Sequence, residues 1–297
     1  MERRSVADIE GAWAQLAFPS GLLEQLRENW NVPLHQVTNH VLATFIRQDI
    51  ALALTVPEAE RRLKAGHVDG SELYEDELTV VLAKRRRPGS LREEVARFQA
   101  WADKHYSPGA RNGEWECGYD DWPQLRQAWL AKLASCPAHA ANPIDVQDIL
   151  YVIGRDNETE QLAEALATSS QWFMLLLPYA LRSGDRDVRW QFAQQLGSGN
   201  FLFQDAESAL LKLVTDDDEY VSRMALQALG KIKSEHAERL CERAWASGHI
   251  YQRIMTLWVL LEIGSPKLER YLADAKEDGS EYVVSNAEEI LHRRAGR

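Results

Sequence analysis

A sequence pattern recurs along the chain, and its first copy begins with Asp185-Arg186-Asp187-Val188-Arg189 and ends at Gly197. The second copy begins with Asp218-Glu219-Tyr220-Val221 and ends at Gly230, which lies 33 residues after Gly197. Both copies place alanine and leucine at helical spacing between the polar start and the final glycine. A repeat of this length predicts a helical unit that cannot bury its own apolar face and therefore packs against the next copy.

Two more copies follow at nearly the same interval. A third copy ends at Gly264, and a fourth begins with Glu281-Tyr282-Val283 and continues to Ala287 and Leu291. The second and fourth copies share the skeleton Glu-Tyr-Val-x-x-x-Ala-x-x-x-Leu. Four copies at intervals of about 31–34 residues predict a stacked array of helix pairs.

The pattern over residues 171–294 resembles the HEAT-type α-helical repeat. In that family the first helix of each pair is apolar and can carry a proline, as at Pro178, and the second helix opens with Asp-x-x-Val-Arg. Arg189 stands at the position of the family's ladder arginine, whereas Ser222 and Thr256 stand there in the next two copies. The resemblance implies a solenoid with an incomplete hydrogen-bond ladder. It also implies a binding scaffold, without indicating the partner.

We therefore predict an all-α fold, with an α-solenoid of HEAT-like helical hairpins over residues 143–297 and an irregular helical region over residues 1–142. The predicted boundary is the linker from Cys136-Pro137 to Asn142-Pro143. The predicted helix pairs are 144–153 with 158–168, 171–182 with 185–197, 204–214 with 218–232, 235–247 with 250–264, and 266–277 with 281–294.

Helices are also predicted throughout the N-terminal region, although no clean copy of the repeat occurs there. Pro57 is predicted to open one of these helices, and Ser71 is predicted to cap another. The predicted spans are residues 5–18, 22–30, 34–54, 58–65, 71–87 and 90–105, with a further helix from about residue 123.

Composition and charge narrow the classes of partner. The net charge is −11, and residues 143–297 carry 17 basic and 25 acidic side chains, a net −8. An acidic surface repels nucleic-acid phosphates and favours a basic protein partner. Cys117, Cys136 and Cys241 lack metal-ligand spacing, and no signal peptide or membrane-length apolar run occurs. We therefore expect reduced thiols, no bound metal or cofactor, no membrane association and a cytoplasmic location.

The longest predicted non-helical stretch runs from Tyr106 to Asp121 and supplies the first candidate binding site. Aromatic rings alternate with acids there, a composition typical of interfaces that insert rings and pair with Lys or Arg. The alternative is that the tryptophans fill the core while the acids cap the next helix. The candidate residues are Glu114, Trp115, Glu116, Tyr119, Asp120, Asp121 and Trp122.

The second candidate site lies on the second helices of the repeats, which line the concave side of HEAT-like solenoids. The repeat register aligns Trp190 with Arg223, and these two residues are candidate anchors for a partner protein. The alternative is that Trp190 packs beneath the turn between repeats, because large indoles are often mostly buried.

Two runs of like-charged residues, one acidic and one basic, are interpreted as helix ends and not as binding sites. Asp216-Asp217-Asp218-Glu219 precedes a predicted helix, where acids stabilise the positive end of the helix dipole, and it lacks the ligand spacing of a calcium loop. Lys84-Arg85-Arg86-Arg87 ends a predicted helix before Pro88, so a solvated helix end is favoured over a phosphate contact.

No catalytic motif is found, and we expect the chain not to be an enzyme. The sequence lacks a phosphate-binding glycine loop, a G-x-S-x-G elbow and an H-E-x-x-H motif. The enzyme alternative is the alkylpurine DNA glycosylase class, which is also built on a HEAT-like solenoid. In that alternative Trp190, Trp258 and Asp187 take the concave positions, but the net −8 of the repeats opposes DNA binding.

The predicted function is non-catalytic, stoichiometric binding of a basic protein. The more specific prediction is an acidic immunity- or antitoxin-like inhibitor of a basic toxin, such as a nuclease. The Glu114–Trp122 segment is similar to segments of immunity proteins. An adaptor or assembly scaffold that leaves its partner active is the non-enzymatic alternative.

Overall fold

The computed structural model describes residues 4–13, 21–84, 88–111, 115–156, 160–199 and 201–295. Over these residues the chain is helical and contains no β-strand, which confirms the predicted all-α class. The α-helices are α1 Ala7–Glu10, α2 Gly21–Asn29, α3 Asn39–Arg47, α4 Leu52–Lys64, α5 Glu77–Lys84, α6 Leu91–His105, α7 Trp122–Ser135, α8 Pro143–Ile153, α9 Gln161–Ala167, α10 Ser170–Ala180, α11 Arg186–Ser198, α12 Phe203–Leu213, α13 Glu219–Lys231, α14 Ala237–Ala246, α15 Ile250–Glu262, α16 Leu268–Lys276 and α17 Glu281–Ala295.

The chain forms two compact units whose limits differ from the boundary predicted at residues 142/143. The first unit comprises Met1–Gly89 and Gly118–Ala128, and the second comprises Ser90–Cys117 and Trp129–Arg297. Residues 90–117 therefore join the repeats, because their side chains pack on the start of the solenoid. Examples are the Arg92–Asp148 ion pair at 2.7 Å and the contact between Phe98 and Tyr151 at 6.0 Å.

The predicted linker at residues 136–143 is an ordered connection. A 3₁₀ turn spans Ala138–Ala140, and the side chain of Asn142 then accepts hydrogen bonds from the backbone of Ile144 and Asp145 at 2.8 and 3.0 Å. The Asp145 carboxylate accepts a hydrogen bond from the Asn142 backbone in return. This capping box fixes the start of α8 with no flexible break before it.

In the first unit, the helix predicted over residues 34–54 is wrong. Residues 34–36 form a 3₁₀ turn, α3 begins after its cap Thr38, and Asp49 and Ala51 adopt left-handed backbone angles, with φ of 61° and 47°. Left-handed residues end an α-helix, so a separate helix α4 begins at Leu52. Pro57 consequently lies inside α4 and does not open a helix.

Ser71 does not cap its own helix as predicted. Its hydroxyl oxygen accepts a hydrogen bond from the backbone of His40 at 3.1 Å, so Ser71 satisfies a free N–H in the first turn of α3. The following helix, α5, begins only at Glu77. The predicted basic helix end at Arg85–Arg87, and the part of the first predicted helix beyond residue 13, lie outside the described residues.

The second unit contains the predicted helix pairs, and the structure confirms them with bounds that shift by at most three residues. The pairs are α8 with α9, α10 with α11, α12 with α13, α14 with α15 and α16 with α17. The second helices bury their valine, alanine and leucine positions, such as Val221, Ala225 and Leu229 of α13. The repeat pattern in the sequence is therefore the buried face of these helices.

An arginine ladder joins successive repeats and is more complete than predicted. Arg189 donates to Asp216 of the next repeat at 2.8 and 3.1 Å, and Arg253 donates to Asp278 at 2.6 Å in the same way. Arg253, rather than Thr256, is therefore the counterpart of Arg189. In the copy between them, Ser222 donates only to the carbonyl of Val214, within its own hairpin.

Gly197 allows α11 and α13 to approach each other closely. A Cβ atom at Gly197 would lie 2.7 Å from both the Cα and the Cβ of Ala228, so the two helices would have to separate. Gly184, in the turn before α11, has no heavy atom within 4 Å of the same position. Gly230 is similarly close to Val259 of α15, so the first two glycines of the pattern serve helix packing, whereas Gly264 lies in a turn.

We expect Gly197→Ala to destabilise the protein by about 1–3 kcal/mol because it overpacks this contact. An alanine in an unobstructed helix would instead stabilise by about 0.5–1 kcal/mol, so the sign of the change is informative. The measurement is urea denaturation followed by circular dichroism, with Gly184→Ala as the matched control. A Gly197→Ala protein at least as stable as the wild type would show that α11 and α13 are not in close contact.

Candidate functional site

Trp115, the first ring of the predicted Glu114–Trp122 segment, is a packing residue in the second unit. It lies in a short 3₁₀ helix, Trp115–Gly118, so the predicted non-helical stretch is partly helical. Its ring is buried among Phe98, Trp101 and Tyr106 at centroid distances of 5.7, 6.2 and 5.5 Å. The Arg111 guanidinium covers the same ring at 5.5 Å. This placement favours the core interpretation for Trp115.

Glu116 is buried without a hydrogen-bond partner in another residue. Its side chain is 4% exposed, and neither carboxylate oxygen has a partner among the described residues. Burial raises the pKa of Glu116 to about 7; the backbone N–H of Glu116 itself and Arg155 oppose the rise, and the nearby acids Asp187 and Asp185 add to it. Glu116 is therefore a buried group that titrates near neutrality, whereas an interface contact needs a side chain that reaches the surface.

The candidate residues from Tyr119 to Trp122 belong to the first unit. Tyr119 is buried, Asp120 is exposed, and Asp121 and Trp122 are partly exposed. Trp122 begins α7, directly after Asp121. Of this candidate set, Asp120 therefore offers the most accessible side chain, and a binding role for the segment stays a prediction. Glu114 lies outside the described residues.

Trp190, the predicted concave anchor, is buried beneath the next repeat. Its indole N–H donates to the Asp187 carboxylate at 3.1 Å, and its ring meets Tyr220 edge to face at 5.2 Å. The position matches the alternative in which Trp190 packs under the neighbouring repeat. Its role is to support Tyr220, which reaches farther towards solvent.

Arg223, the second predicted anchor, is held between two tyrosine rings. Its guanidinium carbon lies 4.7 Å from the centroid of Tyr220 and 5.1 Å from that of Tyr251, within cation–π range. Its Nε donates to Glu219 at 3.1 Å, so its charge is already paired. The structure therefore brings Trp190 and Arg223 together through Tyr220, and it presents the rings rather than the guanidinium as the accessible feature.

The exposed aromatic residues of this region were missed at the sequence level. Tyr251 is 52% exposed and Tyr282 is 67% exposed. Each occupies the second position of its helix, as Tyr220 does in α13, so the three tyrosines recur once per repeat. We call Tyr220, Tyr251 and Tyr282 the tyrosine ladder. For Tyr220 and Tyr282 the signal was present in the shared Glu-Tyr-Val skeleton, where tyrosine stands beside the buried valine; Tyr251 has no such motif.

Acidic side chains accompany the tyrosine ladder. Asp217, Glu277 and Glu281 are exposed, and none forms an ion pair with a residue that the structure describes. The other two acids of the Asp216–Asp218 run are structural: Asp216 binds Arg189, and Asp218 caps α13. This division agrees with the helix-end interpretation of the run and leaves Asp217 available to a partner.

The residues of the glycosylase alternative do not converge. The Trp258 indole donates to Asn286 at 2.8 Å and is covered by Arg293, both on α17, whereas Trp190 and Asp187 contact each other at the start of α11. Among the residues that the structure describes, no group of three or more His, Cys, Asp or Glu side chains is placed to hold a metal ion. No helix within the described ranges is long and apolar enough to span a membrane.

Comparison with known proteins identifies the repeats. Residues 174–249 match the family model of HEAT repeats, which confirms the resemblance over that segment. No curated protein and no solved structure matches the chain significantly. The matched segment runs from α10 to the cap of α15 and includes Trp190, Tyr220 and Arg223. Residues 174–249 thus carry HEAT repeats, units that generally form helical scaffolds for protein interaction.

Proposed function

We propose that this chain is a non-catalytic scaffold that binds a basic protein through the tyrosine ladder and its flanking acids. HEAT repeats over residues 174–249 supply a rigid support, and a rigid surface loses little conformational entropy on binding. The observation that carries the proposal is the pair of exposed rings Tyr251 and Tyr282 in successive repeats, next to the half-buried Tyr220, together with acids that form no ion pair among the described residues. Tyrosine is enriched at interface hot spots, and unpaired acids steer a basic partner.

The more specific form of the proposal is an immunity- or antitoxin-like inhibitor of a basic toxin. The net −8 of residues 143–297 supports it, because complementary charge accelerates encounter with a basic protein. We further propose a cytoplasmic location, which the thiols of Cys136 and Cys241 support, because neither forms a disulfide. Inhibitor and adaptor differ in one respect: an inhibitor silences an activity of the bound protein, and an adaptor does not.

Affinity capture from a native lysate tests this function. We expect the tagged chain to recover one basic protein in stoichiometric amount at 50 mM salt, with most of it lost at 300 mM salt, because screening weakens exposed charge pairs. The double substitution Asp217→Lys/Glu281→Lys should reduce recovery at least tenfold. Proteins and nucleic acids in the eluate are both identified.

The matched control is Asp205→Lys/Glu235→Lys, which makes the same change in net charge at exposed acids of other elements, α12 and the turn before α14. We expect it to retain the partner. Equal loss in both double variants would indicate that net charge alone governs recovery. Recovery of DNA without a protein, or of a neutral or acidic protein that is unaffected by salt, would contradict the proposed function.

A further inference from the structure

We propose that the tyrosine ladder binds an extended, proline-rich segment of the partner that carries lysine or arginine side chains. This inference rests on the proposed function of basic-protein binding. It adds the conformation of the bound segment and names the tyrosines that contact it.

The register of the repeats makes the ladder a linear track. Tyr220 lies two residues after the cap Asp218, and Tyr251 lies two residues after the cap His249. Tyr282 follows 31 residues after Tyr251 and is again the second residue of its helix. Arg253 of α15 binds Asp278, directly before α17, which holds the starts of these two helices together. Equivalent rings therefore recur along one edge, once for each second helix.

The spacing between neighbouring rings limits the conformation of the bound segment. Because Arg223 contacts both rings at 4.7 and 5.1 Å, the centroids of Tyr220 and Tyr251 lie no more than about 10 Å apart. Packed helices place equivalent residues about 8–10 Å apart. A polyproline II segment advances about 9.3 Å in one turn of three residues, which falls within this range.

Other regular conformations match the ladder less well. Residues on the same face of a β-strand repeat at about 6.8 Å, closer than packed helices place equivalent rings. Seven residues of an α-helix advance about 10.5 Å, which exceeds the distance that Arg223 can bridge. Every third residue of a polyproline II segment would thus meet one tyrosine.

The chemistry of the ladder also suits this ligand. Proline-rich segments dock on exposed aromatic rings because the segment is already extended and loses little conformational entropy. The cations beside the ladder are paired with acids of the chain: Arg223 with Glu219, and Arg253 with Asp278. The exposed acids Asp217, Glu277 and Glu281 leave an excess of negative charge, so the residues between the prolines should be lysine or arginine.

Fluorescence anisotropy with labelled peptides and the full chain tests the inference. The probe is (Lys-Pro-Pro)₄, whose 12 residues span about 37 Å, enough for three rings. We expect it to bind at least tenfold more tightly than (Lys-Gly-Ser)₄, which has the same charge and no preference for the extended helix. The double substitution Tyr251→Ala/Tyr282→Ala should reduce this affinity at least tenfold.

The control variant is Tyr179→Ala, which removes an equally exposed tyrosine from α10, outside the ladder. Its affinity for (Lys-Pro-Pro)₄ should equal that of the wild type. Equal binding of (Lys-Pro-Pro)₄ and (Lys-Gly-Ser)₄ would show that charge alone accounts for the affinity, and this result would overturn the inference. Preference for a helical (Lys-Ala-Ala)₄ peptide, no binding at 1 mM probe, or unchanged binding by the double variant would also overturn it.

Failure of the inference and failure of the proposed function are distinguishable. A captured basic protein that binds the Tyr251→Ala/Tyr282→Ala variant as tightly as the wild type would overturn the ladder as its site and leave protein binding standing. Capture of no basic protein would remove the proposed function itself.

Discussion

Glu116→Gln is expected to stabilise the protein by about 3 kcal/mol at pH 8 and to change its stability little at pH 4.5. The pKa of Glu116 rises from 4.5 in the unfolded chain to about 7 in the folded one, chiefly because the carboxylate is buried. Each unit of difference corresponds to about 1.4 kcal/mol. The folded state therefore favours the protonated form, and the charged form costs stability.

The sign of the pH dependence follows from this difference in pKa. Below pH 4.5 Glu116 is protonated in both states and contributes no difference in stability. Between pH 4.5 and 7 the unfolded chain loses its proton first, so the free energy of unfolding falls as the pH rises. Above pH 7 Glu116 is charged in both states, and burying its charge lowers the free energy of unfolding by the full amount. Glutamine carries no charge and avoids this loss.

The measurement is urea denaturation of Glu116→Gln and wild type at pH 4.5, 6 and 8, with the exposed Glu288→Gln as the control. The difference between Glu116→Gln and wild type should grow with pH, and Glu288→Gln should show no such trend. A Glu116→Gln protein that is less stable than wild type at pH 8 would mean that the Glu116 carboxylate is charged and stabilising in its site.

Arg62→Ala is expected to destabilise the first unit by about 3–5 kcal/mol. The Arg62 side chain is 1% exposed, and its guanidinium donates to the carbonyls of Leu34 and Val37 at 2.7 and 2.8 Å and to Asn39 at 2.9 Å. It also donates to Glu58 at 3.0 Å. Alanine would leave these acceptors buried without donors, and each buried acceptor that loses its donor lowers the free energy of unfolding.

Arg61 supplies a control at the adjacent position. It binds the same Glu58 carboxylate at 2.7 Å, but its side chain is 44% exposed. Arg61→Ala should therefore cost far less stability than Arg62→Ala, because water screens an exposed ion pair. Thermal or urea denaturation of both variants provides the comparison. Similar losses from the two substitutions would show that the pairing with Glu58, rather than the buried contacts to Leu34, Val37 and Asn39, accounts for the role of Arg62.

The repeat half of the fold was predictable because its signal is periodic. The Val, Ala and Leu positions recur at intervals set by helix packing, so the bounds of α10 to α17 follow from the pattern within a few residues. The position of the arginine ladder in the third copy was harder to align. Gly230 lies inside α13, whereas Gly264 lies in the turn after α15 with φ of 68°, so counting from glycines shifted the third copy by three residues. This shift led to Thr256 in place of Arg253.

The N-terminal region and the first candidate site depended on features that periodicity does not carry. The left-handed angles of Asp49 and Ala51 break a continuous apolar pattern, and neither is a glycine that would indicate the break. Glu116 occurs in a polar segment that the sequence predicts to be an exposed loop. Because the neighbouring Trp115 ring packs in the core, Glu116 is buried as well. Tyr282 was visible in a motif shared with Tyr220, but only the helix packing shows that Tyr282 and Tyr251 face solvent.

The most direct test of the account is isothermal titration of the captured basic protein into the full chain and into Asp217→Lys/Glu281→Lys, at 50 and 300 mM salt. We expect one partner molecule per chain, an affinity at least tenfold weaker at the higher salt, and a comparable loss in the double variant at low salt. An affinity that is unchanged by salt and by the double substitution would contradict binding through the acidic, tyrosine-bearing edge of the repeats.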